Sequence, residues 1–103
     1  MTTYYAAFLK PGSRWNTEKP VREQPFWDEH ALYMDSLFDA GLIVLGGPFA
    51  DKSGSLVIMA VDSAAKVREL YSKDPWTEQD VLVVADVKEW TIFLDSHDTK
   101  GTS

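Results

Sequence analysis

The chain has 103 residues and a mass of 11.6 kDa, the size of one compact domain. Asp and Glu number 16 against 10 Lys and Arg, and the net charge of −6 argues against partners such as nucleic acid or an anionic membrane surface. There is no cysteine, which excludes disulfides, thiolate metal sites and cysteine nucleophiles, and there are only two histidines. We therefore expect no dedicated metal site and no cofactor.

The start of the chain carries no targeting signal. Residues 1–8 have neither the basic beginning nor the apolar stretch of a signal peptide. No apolar run approaches the ~20 residues that cross a bilayer. We therefore expect a cytoplasmic protein, with a single domain over residues 1–94 and a flexible polar tail over residues 95–103.

Hydrophobic patterning predicts four strands and two helices. In chain order these are a strand at Thr3–Leu9, a helix from Pro25 to about Ala40, strands at Leu42–Leu45 and Leu56–Val61, a helix from Ala64 to about Lys73, and a strand from Val81 to Val87. A polar loop, Ser13–Gln24, follows the first strand. The order β-α-β-β-α-β predicts an α+β, ferredoxin-like sandwich with both helices on one face of an antiparallel sheet.

The predicted strands are apolar on both faces. In the third strand Leu56 and Ile58 alternate with Val57 and Met59, whereas a strand with one wet face would alternate apolar and polar residues. Two helices cover only one face, and a monomer rarely leaves the other exposed. We therefore expect a homodimer in which two sheets pair face to face as a dimeric α/β barrel.

Two polar residues lie on the inward sides of the predicted helices. His30 is in the middle of the apolar arc of the first helix, and Asp74 continues the apolar stripe at the end of the second. The helices of this topology run antiparallel, so the start of the first lies beside the end of the second. We therefore expect His30 and Asp74 to meet in a cleft at one end of the domain.

A histidine and a carboxylate support proton transfer. Imidazole is a competent base near neutral pH, and a carboxylate on one ring nitrogen orients the ring and stabilises the imidazolium. Proton abstraction, elimination and isomerisation need no serine or cysteine nucleophile. The alternative is a buried structural ion pair that joins two helices.

Six further residues are candidates for substrate binding. They are Arg14, Trp15, Tyr33, Gly47, Pro48 and Trp76. Arg14 suits an anionic carboxylate or phenolate, and Gly47 and Pro48 suit close approach of a ligand to the backbone. Each has a structural alternative: a solvated loop for Arg14, hairpin geometry for Gly47, and core packing for Tyr33 and Trp76.

Several short motifs together resemble the YCII-related family. They are Glu29-His30-Ala31, Ala40-Gly41-Leu42, Gly46-Gly47-Pro48 and Asp74-Pro75-Trp76, and the resemblance extends over roughly residues 4–94. It implies a dimeric α/β barrel of ferredoxin-like protomers, with His30 and Asp74 as the active-site pair. It also implies cofactor-free lyase chemistry, such as dehydrochlorination, or isomerase chemistry on small oxygenated rings.

The sequence leaves three interpretations of the protein's function open. The first is a lyase or isomerase with His30 as base and Asp74 as its orienting partner. The second is a barrel that binds or senses a small molecule without catalysis, and the third is a purely structural pair. A cofactor-free oxygenase has only the fold analogy in its favour.

Overall fold

The computed structural model describes residues 3–96 of the chain. Its elements are β1 (Tyr4–Pro11), α1 (Trp27–Asp39), β2 (Ile43–Pro48), β3 (Ser55–Ala60), α2 (Ala64–Ser72), α3 (Pro75–Glu78) and β4 (Leu82–Trp90), with a single 3-10 turn at Val21–Glu23. The predicted polar tail falls outside the described residues, apart from residues 95 and 96. Within residues 3–96, no helix has the length and apolar character to cross a membrane.

The four strands form one antiparallel sheet in the order β2-β3-β1-β4. The strand order and the β-α-β-β-α-β succession confirm the predicted α+β, ferredoxin-like fold. The ladder shifts register between Phe8 and Leu9, where β1 pairs with β4, and again between Ile43 and Leu45, where β2 pairs with β3. The bulge in β1 lies toward the end of the sheet that holds Pro48 of β2 and Leu82 of β4, and the bulge in β2 lies nearer the opposite end.

The core lies between the helices and one face of the sheet. Alternate residues of β1 and β3 are buried there, among them Ala7, Val57 and Met59. The helices contribute Leu37 from α1 and, from α2, a stripe that includes Val67. The period of two in the strands and of about 3.6 in the helices brings these residues together.

Three local features differ from the prediction. Helix α1 starts at Trp27 rather than Pro25, because Phe26 at its N-cap has a left-handed backbone with φ of 63°. Residues 46–48 belong to β2 instead of following it. Asp74 does not simply end the second helix: α2 ends at Ser72, and Asp74 starts the separate short helix α3.

The loop between β1 and α1 is fixed at both ends. At its start, the Gly12 amide donates to the Val81 carbonyl at 2.9 Å, and a Cβ on Gly12 would lie 2.2 Å from the Asp80 carbonyl oxygen. The Asp80 carboxylate accepts hydrogen bonds from the amide and the hydroxyl of Ser13. At the other end, the buried side chain of Gln24 bonds back into the loop. The loop is therefore an ordered part of the domain.

Candidate active site

His30 lies on the inward side of α1. It follows Trp27 and precedes Met34 at helical spacings of three and four, so the three side chains share one face. The His30 side chain retains 11% of its accessible surface. An imidazole with this burial needs a polar partner, because an unpaired polar group is costly to remove from water.

The partner is Asp74, which is 1% exposed. Asp74 is the N-cap of α3, where its Oδ1 atom accepts a hydrogen bond from the Trp76 amide at 3.1 Å. Pro75 occupies the first helical position, which suits proline because no amide donor is needed there. The Asp-Pro-Trp sequence thus positions the Asp74 carboxylate through contacts within its own segment, independently of α1.

The structure brings His30 and Asp74 into direct contact. His30 Nδ1 lies 2.9 Å from Oδ1 and 3.0 Å from Oδ2 of Asp74. An ionised carboxylate only accepts hydrogen bonds, so the proton on the ring is assigned to Nδ1. The other nitrogen, Nε2, has no hydrogen-bond partner among residues 3–96 and is not fully buried. In the neutral tautomer Nε2 therefore carries a free lone pair.

Two tryptophans contact the imidazole, and a third packs against one of them. The ring of Trp76 stacks on His30 with centroids 3.8 Å apart and an interplanar angle of 7°. Trp27 contacts both rings, with centroids 5.7 Å from His30 and 5.6 Å from Trp76. Trp15 meets the edge of Trp76 at 5.7 Å. Trp76 is itself held by a 2.7 Å hydrogen bond from its Nε1 to the Pro25 carbonyl. The stack restricts rotation of the imidazole.

His30 opens onto a cavity of about 330 Å³, which we call the first cavity. Its walls are mainly apolar, and its ionisable residues are His30, Asp35 and Tyr71. The lining consists of Leu9, Val21, Trp27, His30, Met34, Asp35, Phe38, Ile43, Gly46, Gly47, Pro48, Ser55, Val57, Tyr71, Trp76 and Leu82. Ligand sites are commonly concave, apolar and furnished with a few polar groups.

The structure separates the six predicted binding residues into two groups. Gly47, Pro48 and Trp76 line the first cavity together with His30. Arg14, Trp15 and Tyr33 do not line it. The Arg14 guanidinium donates to Gln79 Oε1 at 3.2 Å, the Tyr33 hydroxyl donates to the Leu70 carbonyl at 2.5 Å, and Trp15 reaches the site only through Trp76.

Sequence reasoning missed two polar residues near the site. The Tyr71 hydroxyl is buried and has no hydrogen-bond partner in residues 3–96. Burial, assisted by the nearby Asp74 carboxylate, raises the pKa of Tyr71 well above its usual range. Gln24 organises the loop beside Trp15 through three hydrogen bonds. Tyr71 lies on the apolar stripe of α2 and Gln24 in a polar loop, so neither has a distinctive sequence pattern.

Within the described part of the chain, no group of three or more His, Asp and Glu side chains could hold a metal ion.

The YCII-related domain model matches residues 11–91. The chain belongs to the YCII-related family. The match includes the loop after β1, both members of the His30–Asp74 pair, and the Gly46–Pro48 segment of β2. The resemblance seen in the sequence is therefore confirmed at the level of the family. No curated protein matches the chain significantly.

Among solved structures, the chain is similar to 5-chloro-2-hydroxyhydroquinone dehydrochlorinase (TftG) from Burkholderia phenoliruptrix AC1100, in complex with 2,5-dihydroxybenzoquinone. The TM-score is 0.54 and the sequence identity 21%, over 92% of this chain and 98% of that chain. The similarity supports the fold over nearly the full length of both proteins.

Proposed function

We propose that this protein is a cofactor-free enzyme of lyase or isomerase type, with His30 as general base and Asp74 as its orienting partner. The observation that carries the proposal is the Nδ1–carboxylate contact, which leaves Nε2 without a hydrogen-bond partner in residues 3–96, on a residue that lines an apolar cavity. A carboxylate on Nδ1 fixes the tautomer and stabilises the imidazolium that forms during proton transfer. Both effects favour uptake of a proton at Nε2.

The proposed chemistry needs only proton movement. Nε2 takes a proton from an acidic carbon or hydroxyl of the substrate. In an elimination, the leaving group departs as an anion with its bonding electrons, a new double bond forms, and the imidazolium then gives its proton to water. In an isomerisation, the imidazolium returns the proton to a different carbon. Neither route requires a covalent intermediate with the enzyme.

The cavity favours a small, flat, oxygenated ring as substrate. The indole ring of Trp27, which is partly exposed, supplies a flat apolar surface next to the base. The related dehydrochlorinase acts on 5-chloro-2-hydroxyhydroquinone, a compound of this class. We therefore propose the same class of substrate for this protein. It is a substituted ring with acidic protons on a hydroxyl group or next to a carbonyl group.

A turnover assay tests the proposal. Chloride release from 5-chloro-2-hydroxyhydroquinone, and product formation from a panel of hydroxylated rings and ring lactones, would be compared for the parent protein and His30→Gln. Glutamine keeps a donor for Asp74 but has no basic nitrogen, so turnover should fall about 100-fold or more. Lys66→Gln, a change at an i,i+3 ion pair on α2, serves as the control and should leave turnover unchanged.

The second candidate function is ligand binding without catalysis. It is favoured by the absence of any Lys or Arg from the lining of the first cavity, since no cationic side chain is present there to stabilise a developing oxyanion. On this reading, ring compounds would bind the parent protein, His30→Gln would weaken binding, and no panel member would be converted. Conversion of one compound, lost in His30→Gln, would reject it.

We further propose that two copies of the chain pair through the sheet face opposite the helices. Tyr4 and Phe8 of β1 alternate with the core residues, and Leu56 on β3 pairs with Phe8, so these side chains share the outer face. Leu45, which pairs with Ile58 on the same face, is 61% exposed in the protomer, a large cost for a leucine in water. A second copy of the sheet would bury these residues.

Substitutions of two exposed leucines test the proposed pairing. Leu45→Glu places a charge on the outer sheet face, whereas Leu32→Glu places one on α1, where Leu32 is 73% exposed. We expect sedimentation analysis to show a dimer for the parent and for Leu32→Glu, and a monomer or weakened dimer for Leu45→Glu. A monomeric parent at micromolar concentration would reject the pairing.

A further inference from the structure

A second cavity of about 320 Å³ lies beside the first. It is formed between the loop after β1 and the β2–β3 hairpin, with Pro11 and Leu82 from the ends of β1 and β4. Its lining consists of Pro11, Trp15, Thr17, Lys19, Pro20, Val21, Pro48, Phe49, Ala50, Lys52, Gly54, Ser55 and Leu82. Four of these residues also line the first cavity, so the two cavities share a wall.

The second cavity differs from the first in the sign of its charge. Among the described residues, Lys19 and Lys52 are the only ionisable ones in its lining, one from each of the two segments that form it. Neither ammonium group forms an ion pair with a carboxylate of residues 3–96, whereas Lys66, Lys73 and Lys88 all do. The nearest acidic neighbour of Lys52 in sequence, Asp51, accepts a hydrogen bond from the Ser53 amide instead. A positive pocket is therefore present in a chain with a net charge of −6.

The hairpin holds Lys52 in an unusual backbone conformation. Its φ is 66°, in the left-handed region that glycine and asparagine adopt more easily than lysine. The Lys52 amide donates to the Phe49 carbonyl at 3.0 Å, which closes the turn and keeps the residue on the rim of the cavity. A strained position occupied by a charged residue beside a cavity is typical of functional sites.

The remaining lining suits the apolar body of a small molecule. Trp15 and Phe49 provide two aromatic surfaces, and Pro20 lies on the same loop. Trp15 also contacts Trp76, which in turn stacks on His30. The second cavity therefore combines an apolar surface with two cationic side chains.

We propose that the second cavity binds a small organic carboxylate, with its apolar body against Trp15 and Phe49 and its carboxylate between the ammonium groups of Lys19 and Lys52. An ammonium group is a point charge on a flexible stem, and two of them on opposite walls can converge on one anion. The inference concerns the second cavity alone and holds whatever reaction the first cavity supports.

The test uses 2-naphthoate and its neutral analogue 2-naphthamide as probes. Each would be titrated at low salt into the ¹⁵N-labelled parent protein, and amide shifts recorded for Thr17 and Gly54 of the second cavity and for Met34 and Ile43, which line only the first. We expect 2-naphthoate to shift the second-cavity amides, to bind about fivefold more tightly than 2-naphthamide, and to weaken as salt is added.

The double variant Lys19→Gln, Lys52→Asn removes both charges, and asparagine tolerates the left-handed backbone at position 52. Its affinity for 2-naphthoate should fall to that for 2-naphthamide, whereas the matched surface variant Lys66→Gln should bind as the parent does. Equal binding of both probes by the parent, unchanged binding by the double variant, or shifts confined to Met34 and Ile43 would overturn the proposal.

Discussion

The two cavities share a wall but hold their charged groups in different ways. At the first, the lining residue His30 and its partner Asp74 are buried, bonded to each other and fixed by the cap of α3 and by the Trp76 ring. In the second, Lys19 and Lys52 are exposed on a loop and a hairpin. A buried, hydrogen-bonded pair has a defined geometry, which proton transfer requires. Exposed ammonium groups attract an anion without fixing its orientation.

The contacts that support the two cavities also differ. The first depends on contacts between α1 and α3, which are far apart in sequence. The second depends on the loop after β1, in which Gln24 bonds to backbone groups of the same loop and Ser13 bonds to Asp80, 67 residues further along the chain. Substitutions in one set should therefore leave the other largely intact, and the predictions below test this separation.

The largest effect is expected from Asp74→Ala. This change removes the partner of His30 and the N-cap of α3, and we expect the free energy of unfolding to fall by about 3 kcal/mol. Asp74→Asn is the control, since its side-chain oxygen can still accept from Nδ1 and from the Trp76 amide. Urea denaturation should show a smaller loss for Asp74→Asn. Equal losses in the two variants would mean that the hydrogen-bond geometry contributes little.

Gln24→Ala should affect the second cavity instead. Three hydrogen bonds to Asn16 and Lys19 are lost, and the free energy of unfolding should fall by about 2 kcal/mol. Gln24→Glu keeps the acceptor for the Asn16 amide but places a buried carboxylate oxygen against the carbonyls of Asn16 and Lys19, so its loss should be at least as large. Hydrogen exchange should accelerate in residues 13–24 and remain unchanged at α3. Uniform acceleration across the domain would contradict the separation of the two regions.

Two tyrosines form a matched pair beside the first cavity. Tyr33→Phe removes a hydroxyl that bonds the Leu70 carbonyl, and should cost about 1 kcal/mol. Tyr71→Phe removes a hydroxyl without a protein partner, and should cost less than about 0.5 kcal/mol or stabilise the fold. A larger loss for Tyr71→Phe than for Tyr33→Phe would contradict this assignment.

The alkaline stability of the parent provides an independent check on Tyr71. Burial raises the pKa of Tyr71 above its ordinary value of 10.0, so the folded state keeps the phenol neutral while the unfolded state ionises. Stability that is present below pH 10 is therefore lost as the pH rises further. The decrease in the free energy of unfolding per pH unit should be smaller in Tyr71→Phe.

The smallest effect is expected at Asp80, on the surface. Hydrogen bonds from Ser13 lower the pKa of Asp80 below its ordinary value of 3.8. Its contribution to holding the loop is therefore present above that value and lost as the pH falls through the lower pKa of the folded state. NMR titration should show the pKa of Asp80 rising toward 3.8 in Ser13→Ala. An unchanged titration would mean that the Ser13 contact does not form in solution.

Much of the fold follows from patterns in the sequence. The run of apolar residues in β3 and the helical spacing of the apolar residues of α1 and α2 predict these elements to within a few residues. The start of α1 was misplaced because Phe26 adopts a left-handed backbone that no propensity of phenylalanine indicates. The cap role of Asp74 was missed because a proline after a helix suggests an end rather than a new start.

The two cavities differ in how far the sequence predicts them. The meeting of His30 and Asp74 follows from helix faces and chain topology, which depend on local periodicity. The second cavity depends on how the loop packs against the hairpin, and the position of Arg14 depends on its contact with Gln79. Such contacts join segments with no regular period, so spacing in the sequence carries no signal for them.

The most direct test of the central claim is the tautomer of His30. Long-range ¹H–¹⁵N correlation spectra of the parent protein at neutral to mildly alkaline pH distinguish a protonated from an unprotonated ring nitrogen. We predict a proton on Nδ1, shared with Asp74, and a free lone pair on Nε2, with this state lost in Asp74→Ala. A neutral imidazole with its proton on Nε2 would contradict the assignment of His30 as a base oriented by Asp74.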